Sequence, residues 1–153
     1  MGKDDAGAFE LAVGAISRKE RTVTELREWL GDRELAPAEV EEAVERLTAM
    51  GALDDERFAH CYADDKRELR GWGPERIMEA LMSRGIDRHL AEAVCQGEPA
   101  ADQAERAAKL LSGRGGALDD DAGRGRALAF LARRGYDYEV AYRAVRLAQR
   151  GAQ

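Results

Sequence analysis

Few residues of this 153-residue chain have the type and spacing that chemistry needs. His60 and His89 are the two histidines, and neither stands with a cysteine or carboxylate cluster at metal-ligand spacing. Asp54-Asp55 and Asp64-Asp65 resemble the paired carboxylates of a general acid and base, but helix capping and a solvated face account for them better. Gly71-Trp72-Gly73 follows a helical pattern rather than a strand and lacks the Gly-Lys-Ser/Thr continuation of a phosphate loop; Gly113 to Gly116 lacks it too. No serine has a base and an acid partner in a recognisable frame. Cys61 and Cys95 lie far apart within helical patterns and read as buried free thiols in a reducing cytosol rather than as a disulfide. The reading is a non-enzyme with no catalytic residue, no metal site and no cofactor.

Recognition chemistry is better represented. Arg143, Arg146 and Arg150 fall at i, i+3 and i+7 of one helical pattern, forming a stripe opposite its apolar face. Tyr136, Tyr138 and Tyr142 lie beside that stripe, and an Arg/Tyr mixture is common in binding hot spots. Arg126, Arg133 and Arg134 add charge from the preceding helix, and Arg84 occupies the place equivalent to Arg134. A plainer reading stands beside this one, in which Tyr136 packs in the core and the arginines only solubilise an Ala-rich helix. Trp72, between two glycines, is either an exposed anchor or, the preferred reading, a lid on the seam between units.

Net charge is −6, which argues against a protein that coats DNA by charge alone. The charge is uneven. Residues 122–153 hold seven Arg against Asp137 and Glu139, about +5, which leaves about −11 for residues 1–121. Met1 to Asp5 carry no apolar signal region, and no run approaches membrane-spanning length, so a cytoplasmic protein with no membrane contact is expected.

The elements that must position these residues are all helical. Phe9, Ala12, Val13 and Ile16 mark a first amphipathic helix, behind a few polar and frayed terminal residues. Thr22 to Glu25 has the spacing of a capping box, with Thr24 as the alternative cap, before the stripe Leu26, Trp29 and Leu30. Pro37 opens a third helix carrying Val40, Val44 and Leu47, ending at Gly51. After Leu53, Asp54 or Asp55 caps a helix with Phe58, Tyr62 and Leu69 on one face, stopped by Gly71 and Gly73. Pro74 opens the next helix, with Ile77 and Leu81 at i and i+4. Gly85 ends it, Ile86 packs back, and Asp87 caps a helix carrying Leu90, Ala93 and Val94. Gly97 to Pro99 is a linker. Ala104, Ala107, Ala108 and Leu111 line an Ala-rich helix, and Ser112 to Gly125 reads as a long mobile loop. Within it Gly116-Ala117-Leu118-Asp119-Asp120 echoes Gly51 to Asp55 at another place in the repeat, which reads as coincidence. Ala127, Leu128 and Leu131 mark the eighth helix, and Val140, Ala144, Leu147 and Ala148 the ninth.

Register shows repetition. Leu81, Arg84, Gly85, Ile86, Asp87 and Leu90 match Leu131, Arg134, Gly135, Tyr136, Asp137 and Val140 at an offset of 50. Val40, Ala43 and Val44 match Leu90, Ala93 and Val94 at 50, whereas Leu26 and Leu30 match Ile77 and Leu81 at 51. The first unit thus reads as having one extra residue before its third helix, and it has Glu34-Leu35-Ala36-Pro37 in place of a glycine stop. The expected fold is all-α, an elongated array of three tandem three-helix repeats over 9–53, 54–97 and 98–150, the last interrupted by the loop 112–125. Each unit is small for a core, so packing between neighbours should supply much of the stability.

The stretch Leu53-Asp54-Asp55-Glu56-Arg57-Phe58-Ala59 with Tyr62, Gly71, Gly73-Pro74, Ile77, Leu81 and Arg84-Gly85-Ile86 resembles the RecX family of bacterial recombination regulators. Its flanks agree, through Ala15 to Arg18, Thr24-Glu25-Leu26 and Leu30 on one side and Phe130-Leu131, Arg133-Arg134-Gly135-Tyr136 and Val140 on the other. The resemblance spans about residues 9–150. It implies a cofactor-free protein that lies in the groove of the RecA filament on single-stranded DNA. From there it would suppress strand exchange, ATP hydrolysis and coprotease action, limiting recombination and the SOS response. With an acidic body, contact with nucleic acid is expected to be weak or indirect, and the protein a monomer. Arg84, Arg133, Arg134, Arg143, Arg146, Arg150, Tyr138 and Tyr142 are the expected contacts. The competing classes are a helix-turn-helix-like DNA-binding module, for which no helix joins a basic stripe to Asn or Gln base readers, and a helical-repeat scaffold for another protein.

Overall fold

The computed structural model describes residues 7–152; the frayed N-terminus expected above lies outside them. Nine α-helices and no strand occur among the described residues. The first group is α1 (Ala8–Arg18), α2 (Val23–Gly31) and α3 (Pro37–Ala49). The second is α4 (Asp55–Asp65), α5 (Pro74–Ser83) and α6 (Arg88–Cys95). The third is α7 (Ala100–Arg114), α8 (Asp121–Arg133) and α9 (Tyr138–Gly151). The chain is a helical repeat array.

Local chemistry sets the helix ends. Thr22 and Glu25 form the capping box, with the Thr22 hydroxyl accepting from the Glu25 amide at 3.1 Å and the Glu25 carboxylate from the Thr22 amide at 3.0 Å. Asp54, Asp87, Asp120 and Asp137 each accept a backbone amide at the start of α4, α6, α8 and α9. At the far ends of α3, α5 and α8 the same double closure recurs: Ala52, Ile86 and Tyr136 donate back to Leu47, Leu81 and Leu131.

Three hydrophobic clusters form, and each draws its buried residues from one repeat. The three cores are separate, and hydrogen bonds, an ion pair and close glycine contacts join one repeat to the next. Several stripes shift. In α1 the buried line is Ala8, Ala12 and Ala15, with Phe9 and Ile16 at its flanks and Val13 turned outward, because small residues let α1 close on α3. Trp29 is half-buried, its ring beneath Arg33 at 3.2 Å. On α6, Ala91, Val94 and Cys95 are buried while Ala93 is exposed. That burial puts Val40, Ala43 and Val44 level with Ala91, Val94 and Cys95, an offset of 51 throughout the first repeat rather than an inserted residue. Glu34, at φ +58°, then falls level with Gly85 at φ +89° and adopts the left-handed turn without being glycine.

Two further expectations change. Leu69 is not on the buried face of α4: the last turn, Lys66–Arg70, is π-helical, and its wider winding rotates Leu69 into solvent at 77 % exposure. The stretch Ser112–Gly125 is mostly helix, since α7 runs on to Arg114 and α8 begins at Asp121. What remains, 115–120, is pinned. Leu118 is half-buried, and its carbonyl accepts from Gln149 at 2.8 Å and Arg124 at 3.2 Å. Both cysteines are free and Cys95 is buried, but Cys61 is exposed, against expectation, because α4 buries the face of Phe58, Ala59 and Ala63 instead.

The seams repeat one arrangement, with the N-terminus of a repeat's middle helix meeting the left-handed turn that ends the next repeat's middle helix. Between the first two repeats, the Thr22 hydroxyl donates to the Arg84 carbonyl at 2.7 Å and the Thr24 hydroxyl to the Gly85 carbonyl at 3.2 Å. Arg84 forks onto Glu25 with two bonds of 3.0 Å, and Asp55 accepts the Val23 amide at 2.9 Å. Burial would raise the Glu25 carboxyl, but the Arg84 guanidinium and the Thr22 amide hold it below the usual range. Between the second and third repeats, the backbone amides of Gly73 and Glu75 donate directly to the carbonyls of Arg134 and Gly135, at 2.8 and 3.0 Å. A Cβ on Gly73 would lie 2.5 Å from the Gly135 oxygen, so only glycine permits this approach. Tyr136, 2 % exposed, donates its hydroxyl to the Gly71 carbonyl at 2.7 Å and accepts from Arg106, while burial pushes its pKa up. Trp72 is half-buried against the second core with Lys66 and Arg76 over its ring, and Arg76 also reaches the Arg133 carbonyl across the seam.

Candidate protein-interaction site

The exposed side of α9 gathers most of the recognition residues. Asp137 fixes its start by accepting the Val140 amide at 2.8 Å. Val140, Ala141, Ala144 and Val145 then bury one face, while Leu147 and Ala148 are only half-buried. Helical geometry turns Tyr138, Tyr142, Arg143, Arg146 and Arg150 to solvent, the tyrosines at 70 % and 48 % exposure. The two tyrosine rings stack at 6.2 Å, and Arg146 lies 5.8 Å over Tyr142. Among the described residues, no carboxylate comes within 4 Å of Arg143, Arg146 or Arg150.

Tyr142, Arg143, Arg146 and Arg150 form one wall of an open groove of about 1220 Å³. Gly116, Ala117, Leu118 and Asp119 of the connection 115–120 line it as a second wall, of which Ala117 and Leu118 are the apolar part. Sequence reasoning did not place this wall. The available signal was Gly116-Ala117-Leu118-Asp119-Asp120, whose likeness to Gly51–Asp55 is a likeness of local use: a left-handed glycine, a leucine tucked inward and an aspartate cap. The arrangement offers charge, aromatic surface and a short apolar stretch.

The remaining candidates separate. Arg133 is exposed at the end of α8, and Arg134 is half-buried, 5.0 Å over Phe130; neither borders this groove. Arg84 is taken up by Glu25 and lies 4.6 Å over Phe58, inside the first seam. The central motif is architectural. Leu53 plugs the first core, Asp54 caps α4, Asp55 holds α2, Arg57 collects the Gly51 and Ala52 carbonyls, and Phe58, Ile77, Leu81 and Ile86 build the second core with Tyr62 at its edge. Gly73 and Pro74 make the close seam to the third repeat. Among the described residues there is no group of three or more His, Cys, Asp or Glu able to hold a metal ion, and no helix is long and apolar enough to cross a membrane.

Comparison with known proteins agrees with this architecture. The family model described as RecX, first three-helix domain, matches residues 8–47, and that described as RecX, second three-helix domain, matches 54–94. A protein of Thermus thermophilus named Regulatory protein RecX is 35% identical over 142 residues, covering 93% of this chain and 92% of the relative. One of the same name from Thermobifida fusca is 29% identical over 144 residues, covering 92% and 78%. Among solved structures, the crystal structure of RecX from Lactobacillus salivarius superposes with a TM-score of 0.85 at 20% identity, covering 97% of this chain and 99% of that one.

Proposed function

Because this chain belongs to the RecX family of regulatory proteins, we propose that it is a negative regulator of the RecA recombinase, bound in the groove of the RecA filament on single-stranded DNA. In this reading it acts in the cytoplasm as a monomer without cofactor or catalysis, limiting strand exchange, ATP hydrolysis and coprotease action. The observation that carries it is the α9 surface: three arginines with no carboxylate within 4 Å among the described residues, beside two exposed tyrosines, on a chain whose net charge is −6. Arginine and tyrosine give large contact area at little entropic cost and are enriched where protein partners anchor. Arg133 and Arg134 extend the charge toward the second seam. The acidic first two repeats disfavour a long phosphate track, so the contact is chiefly with protein.

The test is RecA ATP hydrolysis on single-stranded DNA, titrated with this protein below one copy per recombinase. Inhibition is expected, and its absence with folded protein and assembled filament overturns the proposal. Arg143→Glu with Arg146→Glu is expected to raise the half-inhibitory concentration about tenfold or more without changing the unfolding midpoint. Tight binding to naked DNA that falls steeply with salt would favour the DNA-binding module instead.

A further inference from the structure

A second basic cleft opens at the seam of the second and third repeats, apart from the α9 groove. Leu69, Arg70, Gly71, Lys109, Leu110 and Arg134 line it, around a volume of about 450 Å³, together with Arg67, Glu68 and Arg106. Its apolar anchor is unusual for this chain. Leu26, Leu30, Leu47, Leu53, Leu81 and Leu131 are each at most 2 % exposed, whereas the π-helical turn holds Leu69 at 77 %. Single π turns inside α-helices occur frequently at functional sites.

The cleft is built rather than loose. Gly71 sits at φ +66°, where a Cβ would lie 2.7 Å from Leu110 Cδ2, so its backbone closes onto α7. Its carbonyl is held by the buried Tyr136 hydroxyl at 2.7 Å. Of the cleft's lining cations, Arg67 and Arg106 both face Glu98, Arg106 through a fork of 2.6 and 2.7 Å. Arg70, Lys109 and Arg134 remain, and among the described residues none has a carboxylate within 4 Å.

We propose that this cleft is a second docking site, taking an acidic segment of the protein partner whose carboxylates meet Arg70, Lys109 and Arg134 while an apolar side chain covers Leu69 and Leu110. Charge complementarity selects that occupant: three unpaired cations stand together on a chain that is acidic overall. The lining residues include no aromatic ring, so bases have no stacking platform, and phosphate contacts alone would leave Leu69 in water. The inference rests on the filament reading above and adds a contact distinct from α9. Two sites held on one array bind with a high effective concentration for each other, so loss of either weakens the whole.

Leu69→Ser combined with Arg70→Glu tests it, since both side chains are exposed. The expected result is a half-inhibitory concentration in the RecA hydrolysis assay raised about tenfold or more, with an unchanged unfolding midpoint. Should the double variant unfold early, Lys109→Glu, on the exposed side of α7, carries the same expected direction of change. Wild-type inhibition retained by the folded variants overturns the cleft and leaves the proposed function standing. A wild-type protein that does not inhibit overturns the function and the cleft with it. Affinity for a free thymidine oligonucleotide that the substitutions abolish would make the cleft a nucleic-acid site, and would overturn the inference as well.

Discussion

The two seams use the same acceptors and different donors. At both, the carbonyls of the left-handed turn, Arg84 and Gly85 or Arg134 and Gly135, receive two hydrogen bonds from the start of the preceding repeat's middle helix. In the second seam the donors are helix-start amides, which have no intrahelical partner, and they satisfy carbonyls that a helix end leaves open. In the first seam Thr22 and Thr24 hydroxyls stand in for those amides, because the Thr22 amide already serves Glu25. The backbones are therefore a side chain further apart, and the Glu25–Arg84 pair fills the difference. Both seams need a glycine at the turn, Gly85 or Gly135. The second needs Gly73 on the donor side as well, whereas the first adds the charge of Glu25 and Arg84, so the two should fail under different conditions.

Gly73→Ala should do the most damage, at about 3 kcal/mol, by removing two backbone hydrogen bonds and forcing a Cβ against the Gly135 carbonyl. Urea unfolding followed by far-UV circular dichroism should then show the third repeat melting apart from the first two. Thr22→Val should cost about 2 kcal/mol, since one hydroxyl serves both the cap and the seam. Glu25→Gln should cost about 1 kcal/mol, less in high salt, whereas the Gly73→Ala deficit should be indifferent to salt. The pH dependence sharpens the contrast. The folded Glu25 carboxyl titrates below its unfolded value, so its stabilisation is present above about pH 4.3 and is lost as pH falls through the lower folded value. Wild type should therefore lose stability over that window more steeply than Glu25→Gln, and thermal melts in acid buffers would read the difference. The smallest effect is a gain. Glu34→Gly should stabilise by about 0.5–1 kcal/mol, by relieving a left-handed backbone that glycine adopts freely.

Helix starts and stops were legible because their causes lie within four residues: Thr22 with Glu25, Pro37 and Pro74 at first turns, and Asp54, Asp87 and Asp137 as caps. The α9 stripe was legible for the same reason. The seams were not, since Arg84 looks like any exposed arginine until Glu25, 59 residues earlier, is placed beside it. The register of the first repeat was misread because Glu34 hides the glycine that marks the turn elsewhere. Composition misled at Ser112–Gly125, where glycine and aspartate suggested a loop; Asp120 is a cap, and the Ala-rich α7 carries its helix through Ser112 and Gly113. Leu69 obeyed the α-helical period on paper, and a change of winding moved it.

The docking rule that joins the repeats is head-to-tail, and such a rule does not close on itself: applied between molecules it would build a fibre. The two outer faces of this array differ from the faces that meet at its seams. At its beginning, Glu34 carries a side chain where Gly85 has none, and at that equivalent place a Cβ would lie 2.4 Å from the docking Thr24. At its other end, Gly123 is level with Gly73, and the Ala117 carbonyl already occupies the space above it, 2.1 Å from where a Cβ would stand. The outward faces of the first and third repeats therefore lack the close glycine approach by which the two inner seams are made.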